Sequence, residues 1–143
     1  MKRVLVPLDK TEGAEEVFPL IAILAGSNAS VRLVHVAPVP ENVTTTEGRV
    51  AVYADQEIQN RESEWADYVR IVNGRLGVEL EGAIRFGDPV TEILAEAEAY
   101  GADTIVVTTS TSSTVKRALL GGVAETMLRC APIGVLMYRP AAS

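Results

Sequence analysis

The chain has 143 residues, 48% hydrophobic, 22% charged and only 5% aromatic, a composition that suits one soluble domain, residues 1–143, with a core of its own. With 13 Lys and Arg against 19 Asp and Glu, the formal charge of −6 excludes the basic surface that nucleic acid or an anionic membrane would require. The longest apolar stretch, Val17 to Gly26, is far shorter than the ~20 residues of a membrane span, and the opening MKRVLVPLDK lacks a cleavable apolar segment, so the expected location is the cytoplasm. The lone Cys130 cannot form an internal disulfide and sits in the apolar-patterned segment 123–131, where a buried structural thiol is expected.

Arg3 to Leu8 is a run of branched apolar residues that reads as a strand buried on both faces, ending at Asp9. From about Glu12 to Ala25 apolar residues return at helical spacing, Gly26-Ser27-Asn28 supplies a stop, and Pro19 predicts a kink or a displaced start. Val31 to Val36 reads as the second strand, and Glu41 to Gly48 as a loop. A long helix follows from about Val50 to Leu76, with an apolar stripe through Ala54, Ile58, Trp65, Val69, Val72 and Leu76 that Arg61 interrupts. Val78 to Phe86 alternates as a third strand with a bulge expected at Gly82. Asp88 and Pro89 then open a helix as cap and first residue, and Gly101 closes it. Thr104 to Val107 is the fourth strand, Leu119 to Arg129 the last helix and Ile133 to Tyr138 the last strand. This alternation predicts an α/β fold, a five-stranded parallel open sheet with helices on both faces and right-handed crossovers.

In such sheets ligands bind beyond the carboxyl ends of the strands, where the winding reverses. The residues to weigh are therefore Asp9, Ala37, Gly87 and those from Thr108 onward. There the chain carries seven consecutive hydroxyl residues, Thr108 to Thr114, followed by the basic pair Lys116-Arg117 and by Gly121-Gly122. Lys116 and Arg117 can neutralise phosphate, and Gly121-Gly122 falls at a predicted helix start, where free N–H groups favour an anion. His35 has no second His or Cys at ligand spacing and reads as a core histidine rather than a metal ligand or base. The loop serines have no His or Lys partner that sequence can place, so no nucleophile is assigned.

The hydroxyl loop and its sequel resemble the nucleotide loop of the universal stress protein family, written Gly-x-x-Gly, nine residues, then Gly-Ser or Gly-Thr. On this chain the first two glycines fall on Thr108 and Thr111 and the last pair on Gly121 and Gly122. The resemblance extends through Val4-Leu5-Val6-Pro7-Leu8-Asp9, Leu33-Val34-His35-Val36, Gly87-Asp88-Pro89, Gly101-Ala102-Asp103 and Ala131-Pro132-Ile133-Gly134-Val135-Leu136. It implies a Rossmann-like fold of the adenine nucleotide alpha hydrolase type, with the sheet ordered 3-2-1-4-5. It also implies that adenine nucleotide, ATP or AMP, lies over the ends of strands 1, 2 and 4 in those members that bind it; magnesium is a candidate companion of the nucleotide. In that arrangement the residues matching Asp9 and the main chain of Val36 meet the adenosine part, while Thr108, Thr109, Thr111, Lys116, Gly121 and Gly122 surround ribose and phosphates. Pairing into a homodimer through the last strand is a further implication.

The two threonines bear on how well such a loop works. A phosphate loop turns backbone N–H groups toward its ligand, and forcing positive φ on a β-branched residue costs about 1–3 kcal/mol. Ser and Thr hydroxyls can donate in place of backbone groups. The reading is a non-catalytic stress-response protein with weak adenine nucleotide binding. Two alternatives stay open: a slow ATP hydrolase or phosphoryl-transfer enzyme using Asp9 and Lys116-Arg117, and a nucleotide-free interaction module whose hydroxyl loop is solvated or phosphorylated. The enzyme reading lacks a Walker lysine motif and an obvious carboxylate cluster for magnesium.

Overall fold

The computed structural model describes residues 2–8, 17–39, 48–108 and 124–138; for 48–54, 108, 124 and 125 it describes the backbone alone. Five strands alternate with four helices among these residues: β1 (Arg3–Pro7), α1 (Phe18–Gly26), β2 (Ser30–Ala37), α2 (Gly48–Leu76), β3 (Glu81–Phe86), α3 (Pro89–Tyr100), β4 (Thr104–Thr108), α4 (Ala124–Cys130) and β5 (Gly134–Tyr138). Every strand pairing is parallel, and the sheet is ordered β3-β2-β1-β4-β5, in agreement with the expected topology.

Successive strand residues point to opposite faces, so each apolar run feeds two cores. Val4, Val6, Leu8, Leu33 and Val106 pack under Phe18, Ile21 and Leu24 of α1 and Trp65, Val69 and Val72 of α2. Leu5, Val34, Ile105 and Val107 point the other way, against Ile93, Ala97 and Tyr100 of α3 and Met127 of α4. Burial on both faces is why β1 and β4 read as continuous apolar segments rather than alternating ones.

Local signals set most helix ends. Pro19 sits in the first turn of α1, whose described start at Phe18 fits a start displaced to the proline, and residues 12–16 of the longer expected helix lie outside the described residues. The same helix closes with Asn28 at φ 67° and Ala29 N–H donating to Leu24 O at 3.2 Å. Gly77, at φ 64°, ends α2 with Val78 N–H on Asn73 O at 3.2 Å. Asp88 caps α3 by accepting from Thr91 N–H at 3.0 Å and Thr91 Oγ1 at 2.9 Å, and Gly101 at φ 75° closes it. In α2, Arg61 is exposed beside Glu57 at 3.8 Å, and the buried face is carried by Trp65, Val69 and Val72.

Three expectations need correction. The third strand begins at Glu81 rather than Val78, because Leu80 is drawn instead to the end of α2: its N–H donates to Asn73 Oδ1 at 2.9 Å and its carbonyl accepts from Asn73 Nδ2 at 3.2 Å. Gly82 is not a bulge. The β2–β3 register runs unbroken from Arg32↔Glu81 through Leu33↔Gly82 to Ala37↔Phe86. The glycine is there because α2 lies against it, and a Cβ on Gly82 would come within 2.5 Å of Val69 Cγ2. Cys130 is exposed, not buried. Met127 faces the core from α4, and the next residue on that stripe is Ala131, four positions on, which leaves Cys130 to one side of it.

Candidate functional site

The two ends of the sheet differ in how they are held. At the amino ends, the Asp103 carboxylate accepts the N–H groups of Lys2 at 2.8 Å and Arg3 at 3.0 Å and the Thr104 hydroxyl at 2.8 Å, while Asp103 N–H donates to Arg3 O at 2.9 Å. These bonds close β1 and β4 together at their start.

At the carboxyl ends the same two strands stop pairing. The β1–β4 ladder runs only from Val4↔Thr104 to Leu5↔Ile105, whereas the β1–β2 ladder continues to Pro7↔Val34. The cause lies in the alternation of a parallel ladder, in which the N–H and C=O of one residue face one neighbour and those of the next residue face the other. Leu8 N–H donates to Val34 O at 2.8 Å on the β2 side, and Arg3 O accepts from Asp103 N–H on the β4 side. Odd-numbered residues of β1 therefore face β4, and Pro7 is one of them. Proline has no N–H to give, so pairing toward β4 ends where Pro7 would next donate. The ladder is left with a gap at the place where the chain order reverses, since β2 and β3 lie to one side of β1 and β4 and β5 to the other.

Around that gap the described chain offers mostly main-chain groups. Val36 shares the orientation of Val34, so its N–H and C=O face the β1 side, past the last rung of the β1–β2 ladder. The Leu8 carbonyl is occupied by a side chain: His35 Nδ1 lies 3.0 Å from it. The imidazole is half-buried on the α2 face and stacks on Trp65, with ring centroids 5.4 Å apart and planes at 28°. A structural histidine was the sequence reading; its hold on the residue before Asp9 was not legible.

The cation placed beside Val36 is Arg85, its register partner on β3. Its charge is committed to Glu96 Oε1 at 2.9 Å and Glu92 Oε1 at 3.1 Å. Glu96 is buried and takes a second guanidinium, Arg32, at 2.6 Å, which also binds Glu81 at 2.6 Å and lies 4.2 Å from the centre of the Tyr100 ring. Burial opposes ionisation of Glu96, but hydrogen bonds from Arg85 and Arg32 outweigh it and hold the carboxyl below its usual range. This network ties α3 to the β2–β3 edge and commits both Arg32 and Arg85 to carboxylates.

Of the sequence-predicted site residues, Val36 lies on β2 just beyond the last β1–β2 rung, and the backbone of Thr108 ends β4 opposite Tyr138 of β5. Asp9, Thr109, Thr111, Lys116, Gly121 and Gly122 lie outside the described residues, as do residues 119–123 of the expected last helix. Asp9 follows Leu8 directly in the chain, and α4 opens at Ala124, two residues after Gly122. Among the described residues no group of three or more His, Cys, Asp or Glu is arranged to hold a metal ion, and no helix is long and apolar enough to cross a membrane.

Comparison with solved structures returns the same fold. Hypothetical protein MJ0577 is similar over 99% of this chain and 98% of its own, with 23% identity and a TM-score of 0.77. A universal stress protein in complex with cAMP is similar over 98% of each chain, with 23% identity and a TM-score of 0.61. A universal stress protein family protein from Arabidopsis thaliana with AMP bound is similar over 99% of this chain and 94% of its own, with 17% identity and a TM-score of 0.65. Among curated proteins none matches the chain. The sequence itself matches the universal stress protein family over residues 1–139, and with that span and this fold the chain belongs to the universal stress protein family.

Proposed function

We propose that this family member is a non-catalytic stress-response protein that binds adenine nucleotide weakly in the gap between β1 and β4. The observation that carries the reading is that the β1–β4 ladder stops short of Pro7 while the main chain of Val36 faces the end of β1 from the β2 side, beyond the last β1–β2 rung. An adenine edge needs one donor and one acceptor side by side, and a free stretch of strand backbone supplies both. Asp9, one residue beyond Leu8, is suited to a ribose hydroxyl pair. The hydroxyls of Thr108, Thr109 and Thr111 would stand in for the N–H groups of a glycine loop, with Lys116, Gly121 and Gly122 around the phosphates. Two structural neighbours are described with cAMP and with AMP, which supports an adenine nucleotide over another ligand class.

The threonines weaken the phosphate half of such a site more than the adenosine half, so AMP should bind nearly as well as ATP. Calorimetric titration with ATP, ADP and AMP, with and without magnesium, on the wild type and on Asp9→Ala tests the reading. Binding that Asp9→Ala weakens about tenfold, the worth of a charged hydrogen bond, is the expected outcome. No heat and no thermal shift at millimolar nucleotide would overturn it.

A further inference from the structure

The main chain of Val36 can meet a ligand only if β1 does not use it first. In a parallel ladder, a residue whose N–H donates to residue j of its neighbour accepts, through its own carbonyl, from the N–H of residue j+2. Leu8 N–H donates to Val34 O at 2.8 Å, so the regular partner of the Leu8 carbonyl would be Val36 N–H. That carbonyl is instead met by His35 Nδ1 at 3.0 Å. A carbonyl oxygen only accepts, so Nδ1 must carry the proton, which fixes the neutral ring as the Nδ1–H tautomer. The ring is kept at this angle by its stack on Trp65, which is itself buried at 2% exposure and stacks in turn on Tyr68 with centroids 5.5 Å apart.

We infer that His35 is a positioning residue of the nucleotide site, acting as a substitute rung. By donating to Leu8 O it stops the β1–β2 ladder one step short, leaves Val36 N–H without its β1 partner, and holds the Leu8 carbonyl in place. This rests on the nucleotide reading above for its function but not for its geometry. Without the Nδ1 donor, the Leu8 carbonyl would have no partner from β2 except Val36 N–H. The ladder would then close by one rung, and the adenosine contact of the Val36 main chain would be lost.

Two variants separate the hydrogen bond from the packing. His35→Phe keeps a ring against Trp65 and removes the donor; His35→Asn gives up the ring but returns an N–H at similar reach from the strand. Three quantities are read: the imidazole tautomer by nitrogen NMR on the wild type, the hydrogen-exchange rate of the Val36 amide, and the affinity for AMP by calorimetry. The expected results are an Nδ1–H tautomer, Val36 exchange at least about tenfold slower in His35→Phe than in the wild type, and AMP binding about 3- to 10-fold weaker in His35→Phe, the span of one hydrogen bond. His35→Asn should restore both exchange and affinity to within about twofold of the wild type. An Nε2–H tautomer, or Val36 exchange unchanged in His35→Phe, would overturn the assignment. A wild type that takes no AMP would sink the nucleotide reading alone, because the tautomer and exchange still decide what His35 does; should His35→Phe fail to fold, the wild-type tautomer and His35→Asn decide it.

Discussion

The hydrogen bonds that Asp103 accepts, from Arg3 N–H first, then the Thr104 hydroxyl and Lys2 N–H, all favour the ionised carboxylate and lower its pKa from 3.8 to about 2. A depressed value in the folded state means that the carboxylate stabilises the fold fully above its ordinary value of 3.8, and that this contribution is lost as the pH falls through about 2. Asp103→Asn keeps the shape and removes the charge. It should lower the melting temperature near neutral pH and converge on the wild type only as the pH falls through and below about 2, where the wild-type carboxyl takes up its proton. A constant gap in melting temperature across an acid series would show that shape rather than charge accounts for the clamp. Residues of this kind mark where sequence reading stops. Asp88, Pro89 and Gly101 were legible as cap, first residue and stop because their partners lie within a turn. Asp103 and Glu96 were not, because their partners lie 100 and 64 residues away and become neighbours only once the strand order is known. An available signal was Arg32, a cation among the branched apolar residues of an interior strand, which must find a counter-charge when the sheet is covered.

At the scale of elements, the contact of α2 with β3 depends on a missing side chain. Gly82 faces Val69, whose Cγ2 would lie 2.5 Å from a new Cβ, and the Trp65 indole nitrogen, which would lie 3.2 Å away. Both neighbours are buried, and Val69 is β-branched, so neither can swing aside without disturbing the core beneath α2. Gly82→Ala should therefore destabilise by about 1–3 kcal/mol despite the better strand propensity of alanine, as overpacking of a dense core does. Urea unfolding followed by fluorescence of Trp65, the chain's one tryptophan, measures it directly. In the Gly82→Ala, Val69→Ala double variant the penalty should fall below the sum of the two single changes, because the second removes the atoms that the first collides with. Strict additivity would mean that helix and strand do not meet there. The same pair explains the error over a bulge: a glycine inside a strand signals either a break in register or a close approach from another element, and only the third dimension distinguishes them.

At the scale of the whole molecule, the two edges of the sheet are finished differently. An edge strand exposes a row of unpaired N–H and C=O groups that invite another chain, and charge along the strand discourages it. β3 carries Glu81 and Arg85, both engaged in the ion network with Arg32, Glu92 and Glu96. β5, Gly134 to Tyr138, carries no charge, and Leu136 and Met137 remain 37% and 40% exposed. The edge protected by charge is thus the one far from β4, and the apolar edge is β5, the strand through which a homodimer is expected from the family resemblance. Two such strands related by a two-fold axis would place Leu136 and Met137 of each copy against the other and bury apolar area that a lone chain leaves in water. Light scattering on the full chain at micromolar concentration should give twice the mass of one chain. Leu136→Lys puts a charge on that edge and should shift the population to monomer while leaving far-ultraviolet circular dichroism unchanged, because the side chain is outside both cores. A monomeric wild type would remove the dimer, and a Leu136→Lys variant that stays dimeric would move the interface away from β5.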